Sequence, residues 1–137
     1  VERSRGLGDV YKRQKGKFDL INITDLVERE VRDVKEGVVL VFLPHATSAL
    51  ILNEDEGGLR EDILNKLREL VPEKGDYLHN RIDDNAHAHI LSSLLKQFVL
   101  LPVKDGRLVR GTWQEVLLLE FDGPRERRVL IEILKSS

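Results

Sequence analysis

Apolar residues recur along the chain at two spacings, one typical of helices and one typical of strands. Three segments show the helical spacing of three and four residues. The first spans residues 24–37 and ends at a glycine, the second spans 59–70 and stops before a proline, and the third begins at Asp84 or Asn85 and runs to Phe98. The sequence therefore predicts about three helices.

Extended segments fill most of the remaining chain. Residues 38–43 are an uninterrupted apolar run rich in β-branched side chains, which predicts a strand buried on both faces. Further strands are predicted at 46–52, 99–103, 113–121 and 127–134. Asp-Gly pairs between the later strands predict hairpins. We therefore expect an α+β fold with a mainly antiparallel sheet or sandwich.

Composition narrows the classes of protein to which the chain can belong. It has 137 residues, which suits one domain, and a formal net charge of −2, which argues against nucleic acid or a membrane surface as a partner. The absence of cysteine excludes disulfides and cysteine-type metal sites, and it fits a cytoplasmic protein. No apolar run reaches the roughly 18 residues of a membrane span.

The amino-terminal segment differs from the rest of the chain. Val1–Gln14 has neither helical nor strand periodicity. Its run Asp9–Gln14 resembles the conceptual translation of a sequencing adapter. We therefore interpret residues 1–14 as a non-native tail and residues 15–137 as the single domain. The alternative is that residues 1–14 are an ordinary disordered tail. We leave this segment out of the predicted fold and expect that the natural start is missing.

Histidines are the most informative polar residues. Four of them stand at the edges of predicted elements: His45, His79, His87 and His89. Neutral imidazole is a common metal ligand and is suited to proton transfer near neutral pH. All four are therefore candidate metal ligands, and the alternative for each is an ordinary surface or interface histidine.

Helical geometry separates two of these histidines. Two residues apart on a helix, His87 and His89 point about 200° apart. In a regular helix, His89 lies on the same side as Asn85, one turn earlier. His87 and His89 can share one site only if the chain is irregular there. We take His45, Asn85 and His89 as the candidate catalytic residues.

Two further motifs are candidates for substrate binding. A chain extended from His45 places Thr47 and Asn53 on the same face, since side chains alternate along a strand. The run Gly111–Gln114 begins a predicted strand. On this strand the Thr112 hydroxyl and the Gln114 amide point to one face, and the Trp113 indole points to the other. The candidate substrate-binding residues are Thr47, Asn53, Thr112, Trp113 and Gln114.

Together these motifs resemble the YjbQ family, whose members are often called secondary thiamine-phosphate synthases. The matching runs are His45-Ala46-Thr47-Ser48-Ala49 with Asn53-Glu54, Tyr77 with His79, Asn85-Ala86-His87-Ala88-His89, Gly111-Thr112-Trp113-Gln114 and Glu120-Phe121-Asp122-Gly123-Pro124-Arg125. The likeness extends from about Phe18 to the end. Two positions depart from it: Lys96 stands where glycine is usual, and Arg110 stands where an aliphatic residue is usual.

The resemblance implies an α+β fold and a compact homotrimer with its polar motifs near clefts between subunits. It also implies a transferase that joins a pyrimidine diphosphate to a thiazole phosphate, releases pyrophosphate and normally uses magnesium. Two alternatives stay open, a metal-dependent hydrolase and a small-molecule binder without turnover. The expected partner is a phosphorylated small molecule, and the candidate cofactor is a divalent ion, Mg²⁺ or Zn²⁺.

Overall fold

Two antiparallel sheets and a layer of helices form the fold. The computed structural model describes residues 2–11, as backbone, and residues 16–136. Its strands there are β1 (Glu2–Tyr11), β2 (Asp19–Asn22), β3 (Glu36–Phe42), β4 (Ser48–Asn53), β5 (Phe98–Lys104), β6 (Arg107–Leu108), β7 (Glu115–Glu120) and β8 (Glu126–Lys135). Its helices are α1 (Thr24–Glu30), α2 (Gly57–Leu70) and α3 (Ala86–Leu95), with a 3-10 helix at Leu78–Arg81. The predicted α+β class is confirmed.

The two sheets and helices α2 and α3 stack in three layers, whereas α1 packs against the core between the sheets. One sheet has the strand order β1-β8-β3-β5-β6, and the other has the order β2-β7-β4. Their facing sides share a core that includes Val41, Leu118 and Ile131. On the opposite side of the smaller sheet, Leu117 packs with Leu91 of α3 in a second core. β7 lies between the two cores and is therefore buried along nearly its whole length.

The larger sheet leaves its outer side uncovered by any described element. Val39 and Val41 of β3 point into the core, whereas Val38 and Phe42 are exposed. The prediction that residues 38–43 are buried on both faces is therefore wrong. An unbroken apolar run does not by itself show that the same chain covers both faces of a strand.

The amino-terminal segment joins the fold rather than lying outside it. Glu2–Tyr11 pairs along its length with Glu126–Lys135 of β8. Main-chain pairing at a sheet edge does not require alternating apolar side chains, which is why periodicity does not predict this strand. Val1 and residues 12–14 lie outside the described residues, and the foreign origin of the segment and the domain boundary stay predictions.

Two predicted helices are longer than the observed ones, since α1 ends at Glu30 and α3 at Leu95. Gly37 lies within β3 instead of ending the first helix. α3 buries its small residues and His87 against the smaller sheet, while Ile90 and Leu94 are exposed. Among the described residues, no helix combines the length and apolarity needed to cross a bilayer.

Lys96 ends α3 in a backbone conformation that suits glycine. Its φ is 80° and its ψ is 158°, a region in which a side chain is strained. Both its backbone groups are engaged, because the N–H donates to the Ser92 carbonyl at 3.2 Å and the carbonyl accepts from the Leu50 N–H at 3.1 Å. This geometry gives a physical reason why glycine is usual at this position in the family that the sequence resembles.

We expect Lys96→Gly to raise the free energy of unfolding by about 1 kcal/mol, because relief of ~1–3 kcal/mol of strain exceeds the ~0.5–1 kcal/mol entropic cost of glycine. Urea unfolding followed by circular dichroism measures the change. The matched control Lys66→Gly, in the exposed middle of α2, should lower stability by about 1 kcal/mol. A stability loss in both variants would show that Lys96 is not strained.

Candidate functional site

The polar residues of the candidate site gather where β7 leaves the core. Glu120 ends the strand and is fully buried, and Asp122 follows with 7% of its surface exposed. Buried carboxylates need charged or hydrogen-bonding partners. These partners come from the start of β8, the loop before β4 and the start of α3, so several distant segments meet at this point.

Glu120 forms a buried ion pair with Arg127 at the start of β8. The guanidinium Nε donates to Oε1 at 2.7 Å, and Nη2 donates to Oε2. The same Nη2 donates to the hydroxyl of Thr47 at 2.8 Å. Thr47 is itself buried, so in this chain it holds the loop before β4 to the ion pair, and its predicted part in substrate binding is untested.

A chain of hydrogen bonds runs from Asp122 to a pair of histidines. Asn85 Nδ2 donates to Asp122 Oδ2 at 2.9 Å, and Asn85 Oδ1 lies 3.0 Å from Nε2 of His79. The rings of His79 and His89 meet edge to face, with centroids 4.8 Å apart. Arg125 Nη2 lies 2.8 Å from the same Asp122 oxygen. His79 thus links Asn85 to His89.

Asn85 occupies the N-cap position of α3 but does not cap it. Its side chain makes no capping hydrogen bond, because both ends of its amide are engaged by Asp122 and His79. The N–H of Ala86 instead donates to Asn80 Oδ1 at 3.2 Å. The Asn85 side chain therefore serves the polar cluster instead of the helix.

His87 lies in the core rather than at the edge of the fold. Its side chain is fully buried, and its ring stacks on Phe18 with centroids 5.7 Å apart and an interplanar angle of 11°. The regular start of α3 turns His87 away from His89, which confirms the predicted separation. Neither ring nitrogen of His87 has a hydrogen-bond partner among the described residues.

The four histidines do not converge on one metal site in this chain. Among residues 16–136, no group of three or more His, Asp or Glu side chains is placed to hold a metal ion. His87 is in the core, and His45 Nε2 accepts from the Arg128 backbone N–H at 2.8 Å. Among the described residues, the one contact between two histidine rings is that of His79 with His89. The predicted four-histidine ligand set is therefore not assembled.

The Gly111–Gln114 run lies at the other end of β7. It is a turn rather than the start of a strand, because Gln114 Oε1 accepts from the Gly111 N–H at 2.7 Å. Thr112 and Gln114 are exposed, as is Trp113 with 70% of its surface. The six residues of β7 separate this turn from the histidine end by ~20 Å at about 3.3 Å per residue.

Asn53 lies at the same end of the smaller sheet as the Gly111–Gln114 turn, away from the histidines. It is the last residue of β4 and pairs with Glu115, whereas Ser48 at the start of β4 pairs with Glu120. The chain bends at residues 46–47, so the extended face predicted from His45 to Asn53 does not form. The predicted single site is therefore two polar clusters at opposite ends of the smaller sheet.

An open cavity of about 530 Å³ lies beside the histidine pair. Its polar side consists of His79, His89 and Asp76, and its apolar side includes Leu78 and Ile90. This volume lies within the range of ~300–1,000 Å³ that is usual for small-molecule sites. The cavity can therefore hold a small molecule that has both an apolar ring and a polar group.

Comparison with known proteins identifies the family. The family model described as UPF0047 protein YjbQ-like matches residues 10–136. The chain belongs to this family. A UPF0047 protein from Archaeoglobus fulgidus is 51% identical over 118 residues, which cover 86% of this chain and 93% of the relative. The UPF0047 protein YugU from Bacillus subtilis is 32% identical, with coverage of 85% and 89%.

Solved structures agree with the fold of this YjbQ-like chain. The crystal structure of a YbjQ-like protein of unknown function from Sulfolobus solfataricus matches with a TM-score of 0.92 and 43% identity, covering 98% of this chain and 100% of that one. A hypothetical protein from Aeropyrum pernix matches with a TM-score of 0.89 and 35% identity, covering 99% and 100%. The YjbQ-like α+β fold is thereby confirmed.

Three charged residues of this YjbQ-like site were not predicted from the residue pattern as site residues: Glu120, Asp122 and Arg127. One signal for them is present in the sequence. Glu120 interrupts the apolar run 116–121, and a carboxylate within a buried strand requires a partner. The identity of that partner depends on the strand pairing, which the sequence pattern does not provide.

His45 occupies a position that favours its neutral form. Burial, and next the charge of Arg127, lowers the pKa of His45 below its usual 6.5. Its Nε2 accepts a backbone hydrogen bond, which protonation of that nitrogen would remove. In the neutral ring, Nδ1 carries the proton and is the remaining donor.

We expect the stability that His45 contributes to be lost as the pH falls below about 6.5, because the unfolded state then binds the proton more readily than the folded state. His45→Gln, which keeps an acceptor for the Arg128 N–H, should flatten this part of the pH dependence. Urea unfolding of both proteins between about pH 5 and 8 measures the difference. Identical slopes would contradict the assignment to His45.

Proposed function

We propose that the cavity beside His79 and His89 is the active site of a cytoplasmic transferase of the thiamine-phosphate synthase type. The observation that carries this proposal is the histidine pair, fixed by Asn85 at the edge of a cavity of about 530 Å³. The apolar side of the cavity suits a heteroaromatic ring, and imidazole groups suit phosphate oxygens when they are protonated.

The transfer requires stabilisation of a leaving group more than removal of a proton. The thiazole nitrogen attacks the methylene carbon of the pyrimidine diphosphate, and a carbon–nitrogen bond forms as the carbon–oxygen bond breaks. The electron pair leaves with pyrophosphate, and the product ring is a thiazolium cation. A protonated His79 or His89 stabilises the departing oxygen by donating a hydrogen bond. His45 is not among the described residues that line the cavity, and its Nε2 is occupied by the Arg128 N–H, so no step is assigned to it.

A metal ion has no step assigned to it in this proposal. Reactions of this type normally use magnesium, which prefers several oxygen ligands. Asp76 is the one carboxylate among the described residues that line the cavity, so it would hold such an ion only together with water and substrate phosphates. The metal-dependent hydrolase lacks its ligand set among the described residues, because the four histidines of one chain do not converge, whereas a binder without turnover would use the same cavity.

A homotrimer is part of the proposal and accounts for two features. The outer side of the larger sheet exposes apolar side chains: Val38, Phe42, Phe98, Leu100 and Leu134. The two polar clusters of one chain also lie too far apart to act together. Because heterologous contacts join different surfaces of identical chains, a ring of copies can bring Thr112, Trp113 and Gln114 of one subunit to the histidines of the next.

We expect His89→Ala to lower thiamine-phosphate formation at least tenfold, because general acid–base groups typically contribute about 10²–10⁴-fold. Product is quantified by chromatography, with protein from a host that lacks its own thiamine-phosphate synthase. Lys66→Ala, on the exposed side of α2, should keep full activity. Full turnover by His89→Ala would contradict the proposed site, and substrate binding without turnover in the wild type would favour the binder.

We also expect Leu100→Glu to convert a trimer into smaller species, because a charge would then lie within the apolar contact. Light scattering during size-exclusion chromatography gives the mass of each variant. Leu70→Glu is the matched control, since Leu70 is 65% exposed on α2, away from the larger sheet. A monomeric wild type, or equal masses for both variants, would contradict the trimer contact at this face.

A further inference from the structure

We propose that Asp122 fixes the tautomer of His79 through Asn85, so that His79 carries its proton on Nε2 and keeps Nδ1 as the proton acceptor. Asp122 is then a positioning residue that acts on a catalytic group without touching the substrate. The catalytic consequence rests on the proposed function, whereas the tautomer depends on the hydrogen bonds alone.

The first step is the direction of the hydrogen bond at Asp122. An ionised carboxylate accepts hydrogen bonds and cannot donate them. Asp122 Oδ2 is shared by Arg125 Nη2 at 2.8 Å and by Asn85 Nδ2 at 2.9 Å. A guanidinium is always protonated, so this oxygen faces two donors. The carboxylate therefore selects the NH₂ end of the Asn85 amide.

The second step is the consequence of that selection for His79. With its NH₂ group held by Asp122, Asn85 turns its carbonyl oxygen toward Nε2 of His79, at 3.0 Å. A carbonyl oxygen carries no proton, so Nε2 must be the donor. Asn85 is 5% exposed, which limits competition from water for either end of the amide.

The third step concerns the other nitrogen of His79. A neutral imidazole with its proton on Nε2 has a lone pair on Nδ1. Nδ1 can gain and lose a proton while the bond from Nε2 to Asn85 stays intact in both states. A buried carboxylate orients the imidazole of catalytic triads in a related way, but here an amide stands between the two and cannot take up the proton.

Nuclear magnetic resonance tests the proposal without an activity measurement. Long-range ¹⁵N–¹H correlation spectra at about pH 8 distinguish the tautomers of a neutral histidine, and His79→Gln assigns the signals. We expect the Nε2–H form in the wild type. In Asp122→Asn, residue 122 can also donate, Asn85 is no longer held in one orientation, and we expect at least a third of His79 to shift to the Nδ1–H form.

Asp83→Asn is the matched control. Asp83 is exposed and interacts electrostatically with His79, so the variant removes the same charge close to the ring without altering a partner of Asn85. We expect its His79 tautomer to match the wild type. An equal shift in both variants would assign the effect to charge and overturn the proposal.

The wild-type spectrum decides the question even if Asp122→Asn does not fold, because an Nδ1–H tautomer of His79 overturns the proposal by itself. The result is also separable from the proposed function. A protein with the Nε2–H tautomer but no transferase activity would contradict the function and leave the role of Asp122 intact.

Discussion

The ion pair between Glu120 and Arg127 is the contact on which the polar end of the fold depends. It joins β7 of the smaller sheet to β8 of the larger one, and Arg127 also binds Thr47 in the loop before β4. Two buried charges are tolerated only when each is paired and its remaining hydrogen-bonding groups are satisfied. The pair therefore fixes three chain segments against one another, and the candidate site is built on that fixed end.

The geometry of the candidate site depends on the Glu120–Arg127 ion pair. Glu120 Oε2 also accepts from the Asp122 N–H at 3.1 Å, which holds the Asp122 backbone directly beside the ion pair. From there the hydrogen bonds pass to Asn85 and then to His79. Because each member is held by the one before it, a chain of hydrogen bonds ties His79, in the short 3-10 helix beside the cavity, to a contact in the core.

Local periodicity predicted those features that depend on neighbouring residues, and it missed those that depend on distant ones. The opposite directions of His87 and His89 follow from helical geometry alone and were predicted. The exposure of Phe42 and the partners of Glu120 depend on sheet packing, which residue spacing does not contain. Gln114 is an exception among the local features, because its side chain binds the N–H of Gly111, only three residues away, and makes a turn where alternation predicts a strand.

Each end of α3 has a residue in a locally unfavourable arrangement. The two ends differ in the contacts that offset this cost. At its start, Asn85 gives up a capping bond worth ~0.5–2 kcal/mol but gains bonds to Asp122 and His79. At its end, Lys96 adopts a strained backbone, and its ammonium group lies 5.7 Å from the Phe98 ring centroid, a contact worth only ~0.5–1 kcal/mol at an exposed site. Local sequence preferences are expected to be violated at functional sites. This criterion favours the start of α3 as the candidate functional end, because there the lost local contact serves the polar cluster.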